Sequence, residues 1–304
     1  MPESLRTLRR RLRALDDLPQ LRELGRLREL GRLDQVLESL GRIETRQLEG
    51  LRGPLERHEF RVSSHAGEDG IIQFLVANVR ITRRAFVEFG VEDYREANTR
   101  FLLLQNHWSG LVMDADPANI EKIYSDPVYW NTDLQTRAAF VTRENVNDLL
   151  ADAGMTGEIG LLSVDVDGND YWIFDAIDVI TPAVAVVEYN HRFGPTRSVT
   201  IPYDPRFVRR RTDSSWLVCG ASLAAIVSAA ARKGMSFVGC NSFGNNAFFV
   251  RNELVPDWMV TYTAAEGFAA GMFKESLIVA GRDVVLSPEE EQHMIAAASL
   301  VEVP

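Results

Sequence analysis

From residue 85 the chain alternates short apolar runs with amphipathic segments, and this alternation restricts the fold more than any other feature. "AFVEFG" (85–90), "GLVMDAD" (110–116), "LQTRAAFVT" (134–142), "GLLSVDVDG" (160–168) and "AVAVVEYN" (183–190) have strand character. "NTRFLLLQNHW", "PANIEKIYSD", "ENVNDLLADAG" and "NDYWIFDAI", which separate them, read as helices, with a proline in the first turn of one and Gly154 at the end of another. Alternation of this kind builds an α/β domain: a parallel sheet covered on both faces, its crossovers right-handed. "SSWLVCGASLAAIVSAAARKG" (214–234) is the longest helix expected in this region. "MSFVGCNS" and "NAFFVRNE", joined through "FGN", then form an antiparallel pair that finishes the sheet.

The segment before residue 60 is of another kind. It is rich in leucine and arginine and carries the repeat "LRELGR" at 21–26 and 27–32, with leucines at 21, 24, 27, 30, 33, 37 and 40 in helical spacing. Gly25, Gly31 and Gly41 each cost roughly 1 kcal/mol in a helix interior, and Pro19 breaks or caps one, so short helices are expected rather than one rod. We therefore divide the chain into a helical arm, 1–60, suited to pairing two copies into a homo-oligomer, and a domain, 61–304. The domain ends in a helical tail begun by "SPEEE", whose serine and acids suit a helix start.

Composition narrows the function. The formal charge of −10 opposes a nucleic-acid surface, which needs phosphate-neutralising cations, and favours a small-molecule acceptor. No stretch reaches the roughly 20 apolar residues of a membrane-spanning helix, and arginines stand where a secretory signal would be apolar, so the cytoplasm is the expected location. Cys219 and Cys240 lack metal-ligand spacing and read as small buried residues.

The chemistry gathers at strand ends. Side chains alternate along a strand, so Asp114 with Asp116, Asp165 with Asp167, and Glu188 with Asn190 each share a side at the carboxyl end of an expected strand, where open sheets of this class bind ligands. Carboxylates buried without partners cost several kcal/mol, so three such pairs on one rim should face a polar ligand, a cation or water. A carboxylate ending the second strand suits a ribose. The first loop, "EFGVEDYREANT", has only Gly90 and is acidic, which disfavours a pyrophosphate. A ribose, a positive group and no phosphate together describe S-adenosylmethionine. A nicotinamide-type Rossmann enzyme and a catalytically degenerate binding or scaffold protein are the alternatives.

"GEDGIIQFL" (67–75), "FVEFGVEDYREANTRFL", "GLVMDADP", "LLSVDVDGNDYWI" and "VVEYN" resemble the FkbM-type branch of class I S-adenosylmethionine-dependent methyltransferases, over about residues 63–253, and "NHRFGPTRSVTIPYDP" and "NAFFVR" resemble a bacterial subgroup of it. The resemblance implies a Rossmann-like fold, a seven-stranded, mostly parallel sheet with the terminal antiparallel pair. It also implies transfer of a methyl group to a hydroxyl, often on a sugar or natural product. It further implies that Glu88 and Gly90 form the first cofactor loop, that Asp114 holds the ribose, a place that strand position alone leaves open between Asp114 and Asp116, that the third strand's end near Thr142 borders the adenine, that Asp165 lies near the methionine end, and that Glu68 and Asp69 close over the cofactor. Tyr94 departs from the pattern, standing where that family usually has a second glycine.

An unactivated hydroxyl needs a base. His191, directly after the fifth strand, is the first candidate because imidazole titrates near neutrality, and His65 is the second. Asp167, Glu188 and Asn190 complete the expected catalytic group. Asp165, Asp167 and Glu188 are also oxygen ligands suited to magnesium, an alternative means of activation. Arg192, Arg197, Arg206 and Arg209 to Arg211 surround a long loop after the fifth strand and suit an anionic group on the acceptor.

Overall fold

The computed structural model describes residues 19–48, 50–209, 217–272, 274, 276–279 and 282–304. Seven strands form the central sheet: β1 (Ala85–Phe89), β2 (Ser109–Asp114), β3 (Leu134–Ala138), β4 (Gly157–Val164), β5 (Ile180–Glu188), β7 (Met235–Cys240) and β8 (Asn246–Arg251). A two-residue strand, β6 (Val199–Thr200), lies apart from it. The spatial order is β3-β2-β1-β4-β5-β8-β7, and β8 runs antiparallel to both of its neighbours. This is the seven-stranded, mostly parallel Rossmann-like sheet with a terminal antiparallel pair expected from the sequence. Strand order reverses between β1 and β4, which pair directly with Phe89 opposite Val164. A crevice outside the ends of these two strands is the ordinary ligand position in such sheets.

Period-two alternation assigns each strand residue to a layer. Phe86, Val112, Leu161, Val184 and Val186 face one layer of helices: α2 (Glu68–Asn78), α3 (Arg100–Asn106), α4 (Pro117–Ser125) and α5 (Pro127–Asn131). Val87, Phe89, Met113, Leu162, Val164 and Val187 face the other: α6 (Val146–Asp152), α7 (Asp170–Ala176) and α8 (Leu223–Arg232). Both sides of the middle strands are buried, which is why they read as nearly continuous apolar runs.

Three expectations change. Among the described residues of the arm, the leucine repeat lies in one continuous helix, α1 (Pro19–Gln47), where several short ones were expected. Its Gly41 is required by packing, since a Cβ there would lie 2.4 Å from Val62 Cγ2 and 2.8 Å from Phe101 Cζ. Helix α8 starts at Leu223, where the Ser222 hydroxyl accepts from Ala225 N–H; residues 214–216 of the longer helix expected lie outside the described residues, as do Arg6 to Arg13, Arg210 and Arg211. The tail is a hairpin, β9 (Ser276–Val279) with β10 (Arg282–Val285), followed by α9 (Pro288–Ala297) and a short strand β11 (Val301–Glu302) that pairs with β6. Helix α9 begins with the expected capping box between Ser287 and Glu290. Cys219 and Cys240 are buried and not joined in a disulfide. Among the described residues no helix is long and apolar enough to cross a membrane.

Candidate active site

A cleft of about 970 Å³ opens at the carboxyl ends of β1 to β5, its floor made by the strand ends and its walls by the loops after them. Gly90 makes the close approach at its centre. Its φ is +73°, and a Cβ would sit 1.7 Å from the Asp165 carbonyl oxygen, so only glycine lets the ends of β1 and β4 meet. The rest of the first loop turns without glycine: Glu92 and Tyr94 hold φ of 47° and 63°. Two contacts maintain this conformation. Glu92 N–H donates to Asp114 Oδ2 at 2.8 Å, and the Tyr94 ring is fully buried in the core away from the cleft, its hydroxyl 2.9 Å from that of Thr99.

The rim carboxylates separate into two groups. Glu88 is buried and saturated, accepting from Asn98 N–H (2.8 Å), Thr99 N–H (3.0 Å) and Thr99 Oγ1–H (2.5 Å) at the start of α3. Burial pushes its carboxyl above the ordinary value, against these hydrogen bonds. Asp114 accepts from Glu92 N–H, Asp116 N–H (2.8 Å) and Asn119 Nδ2–H (3.0 Å), so it braces the first loop and α4 while still lining the cleft. Asp116 also lines the cleft and caps α4 by accepting from Ala118 N–H.

Asp165, Asp167 and Glu188 form the second group. One carboxylate oxygen of each lies within 4.8 Å of the others, all three line the cleft, and Asp165 and Glu188 share a side-chain hydrogen bond. Burial, then the charges of Asp167 and Asp170, holds Asp165 well above the carboxylate range; burial, then Asp165, Asp170 and Asp167, does the same to Glu188. Asp167 accepts from Arg209 Nη1–H at 3.0 Å. Behind them Asp170 is fully buried. Its Oδ1 accepts from Val166 N–H at 2.7 Å, its Oδ2 has no hydrogen-bond partner among the described residues, and burial raises its carboxyl to about 6. Close buried carboxylates oppose one another's ionisation, which favours the neutral form of Asp165 and Glu188.

Other expected residues lie elsewhere. Glu68 and Asp69 are buried and do not line the cleft. Glu68 accepts from Asn241 and Asn246 side chains, and Asp69 accepts from Val62, Ser63 and Ser64 N–H. The Thr142 amide donates to Asn145, and it is Ala139, Phe140 and Val141 that face the cleft. Asn190 donates to the carbonyls of Leu217 and Cys219. His191 starts the short 3₁₀ helix His191–Phe193 outside the cleft, and burial, with Arg192 nearby, lowers its imidazole to about 4. Arg192 pairs with Glu291 instead, while Arg206 points to solvent beside Asp204.

His65 does line the cleft. Its Nδ1 is 2.7 Å from Glu96 Oε1, and Arg61 Nη2 is 2.7 Å from Glu96 Oε2. Of the loop after the fifth strand, expected to meet the acceptor, Phe207, Val208 and Arg209 line the cleft, whereas sequence reasoning overlooked Glu96 as the partner of His65 and overlooked Phe243 and Asn245 in the lining. Gly168 was the available signal for the place of Phe207. A Cβ there would lie 2.2 Å from the Phe207 ring, so the glycine seats this loop.

No protein-family model matches the chain, and no curated protein matches it. Among solved structures it is similar to the N-terminal domain of EvdMO1 with SAH bound, with a TM-score of 0.40 and 12% identity over 69% of this chain and 94% of that one. It is also similar to an S-adenosylmethionine-dependent methyltransferase from Clostridium acetobutylicum ATCC 824, with a TM-score of 0.38 and 9% identity over 60% and 88% of the two chains. TehB from Haemophilus influenzae gives a TM-score of 0.34 and 10% identity over 56% and 58%.

Proposed function

We propose that this chain is a methyltransferase of the FkbM-type class that transfers the methyl group of S-adenosylmethionine to a hydroxyl of a small sugar-like or natural-product-type acceptor. The observation that carries this reading is the under-neutralised corner of Asp165, Asp167 and Glu188, set beside a glycine-mediated approach of β1 to β4 in a cleft large enough for a nucleoside and an acceptor. Asp114 and Asp116 stand where ribose hydroxyls would be held, Phe140 and Val141 offer an apolar wall to a base, and Asp165 and Glu188 suit an ammonium group. The acidic first loop opposes a dinucleotide. Tyr94, the departure from the family pattern, lies outside the cleft.

The cofactor, when bound, supplies an electrophilic methyl on a sulfonium. The chain must then align the acceptor oxygen with that methyl and remove the hydroxyl proton. His65 is the base in this reading: Glu96 holds Nδ1–H, which leaves Nε2 as the acceptor atom. As the alternative activation, Asp165, Asp167 and Glu188 would instead be the oxygen ligands of a magnesium ion, which would supply Lewis-acid polarisation of the hydroxyl. Calorimetry with S-adenosylhomocysteine and with NAD is the test. Saturable binding of the first and none of the second is expected; NAD binding, or no binding of either, overturns the reading. Full turnover after chelation would remove magnesium from it.

A further inference from the structure

The segment 61–66 carries His65, which lines the cleft, and its course is set by the two acids that open α2. Asp69 Oδ2 accepts from the N–H groups of Val62, Ser63 and Ser64 at 2.7, 2.7 and 2.8 Å, upstream of His65. Glu68 Oε2 accepts from Ala66 N–H at 2.7 Å, directly downstream. The Ser63 carbonyl accepts from Ala97 N–H at 2.8 Å, which brings Glu96 alongside. Glu68 also reaches across to the hairpin: its Oε1 accepts from Asn241 Nδ2–H at 2.7 Å and from Asn246 Nδ2–H at 3.0 Å. The Asn241 side-chain oxygen accepts in turn from the N–H groups of Gly244, Asn245 and Asn246 and so shapes the turn between β7 and β8. That turn holds Phe243, whose ring stands edge-on to His65 with centroids 5.0 Å apart.

We infer that Glu68 is a positioning residue for His65: one buried carboxylate ties the amide after His65 to the turn that supplies Phe243, so that the imidazole meets Glu96 in a fixed orientation. Glu68 and Asp69 are buried, whereas His65 and Glu96 are half-exposed, and an exposed ion pair holds its geometry poorly unless the backbone beneath it is fixed. The partners also define what residue 68 must be. All three donate, so it must accept on both oxygens, and Asn241 cannot turn its amide over because three backbone amides hold its oxygen. Asn246 can turn, since its Oδ1 has no hydrogen-bond partner among the described residues.

Ring ¹⁵N spectra of the full chain labelled at histidine test this, with the His65 signals identified by their loss in His65→Gln. At a pH where the ring is neutral, the wild type is expected to show the tautomer protonated at Nδ1. In Glu68→Gln the new amide cannot accept on both sides; His65 should shift toward the tautomer mixture of free imidazole, and the Ala66 amide should exchange with solvent at least about tenfold faster. Asn241→Asp alone sets two carboxylates together and should disturb His65 likewise. In the Glu68→Gln/Asn241→Asp double variant the new amide donates to the new carboxylate, and the wild-type signature should return. Unmoved His65 signals in a folded Glu68→Gln chain overturn the inference, as does a double variant that fails to fold or to restore them; the double variant decides the matter even where a single substitution unfolds the chain. The role of His65 as base rests on the proposed methyl transfer, but these spectra need neither cofactor nor acceptor. Failure to bind S-adenosylhomocysteine would remove the reaction and leave the positioning, whereas unmoved ring signals would remove the positioning and leave the reaction.

Discussion

Two sets of carboxylates sit a few residues apart on the same rim of the sheet. Glu88 and Asp114, at the ends of β1 and β2, have their oxygens occupied by backbone and side-chain donors of the loops that follow. Asp165 and Glu188, at the ends of β4 and β5, face chiefly each other and Asp167, with Arg209 the cation nearby. The first set organises the loops; the second is left with few donors from the protein, and burial works against its ionisation. Residue type and strand position are shared, so the difference comes from the supply of donors. The start of α3 delivers N–H groups to Glu88, whereas in the β4 loop Asp170 takes the Val166 N–H from behind.

Three substitutions measure this difference, the largest effect first. Glu88→Ala would orphan the backbone amides of Asn98 and Thr99 and is expected to cost about 3–5 kcal/mol in urea unfolding, in the absence of any ligand. An unchanged midpoint would contradict the scaffold role. Asp165→Asn should act in the opposite sense: S-adenosylhomocysteine affinity falls at least about tenfold by calorimetry, while the unliganded chain gains about 1–2 kcal/mol as one buried charge is removed. If it destabilises as Glu88→Ala does, the two groups are not distinct.

Asp170→Asn is the smallest and is read through pH. The folded carboxyl is raised from 3.8 to about 6, so between these values the folded chain keeps a proton that the unfolded chain releases. Stability therefore declines as pH rises through that window and is fully lowered above it. Asn keeps the acceptor for Val166 N–H without the charge; the variant should gain about 1 kcal/mol at pH 7.5 and nothing at pH 3.5, measured by thermal unfolding across that range. A gain of equal size at both pH values would mean that packing, not charge, is responsible.

The strands and their acidic ends were legible because period-two burial and a helix of fixed hand leave few arrangements for five β-α units. Gly90 was legible for the same reason, as the only glycine in a tight first loop. Hydrogen-bond saturation was not. Nothing in "GEDGII" says that Glu68 is taken by Asn241 and Asn246, residues some 170 positions later, nor does "EYNH" show that Asn190 holds Leu217 and Cys219 while His191 turns away. His65 and Glu96 are brought together by the packing of two loops that share no pattern. The three-residue leucine spacing announced a helix but not which face would remain open. That depended on Gly41 resting against Val62 and Phe101.

The sequence alone determined the layered α/β architecture, the antiparallel pair that ends it and the rim on which acids would gather, because these follow from local periodicity and chain handedness. Only the tertiary structure decided which of those acids are spent on the protein's own amides and which are left to meet a ligand. That distinction depends on donors arriving from distant segments, and a carboxylate's chemistry is set by what reaches its oxygens rather than by its position in the chain.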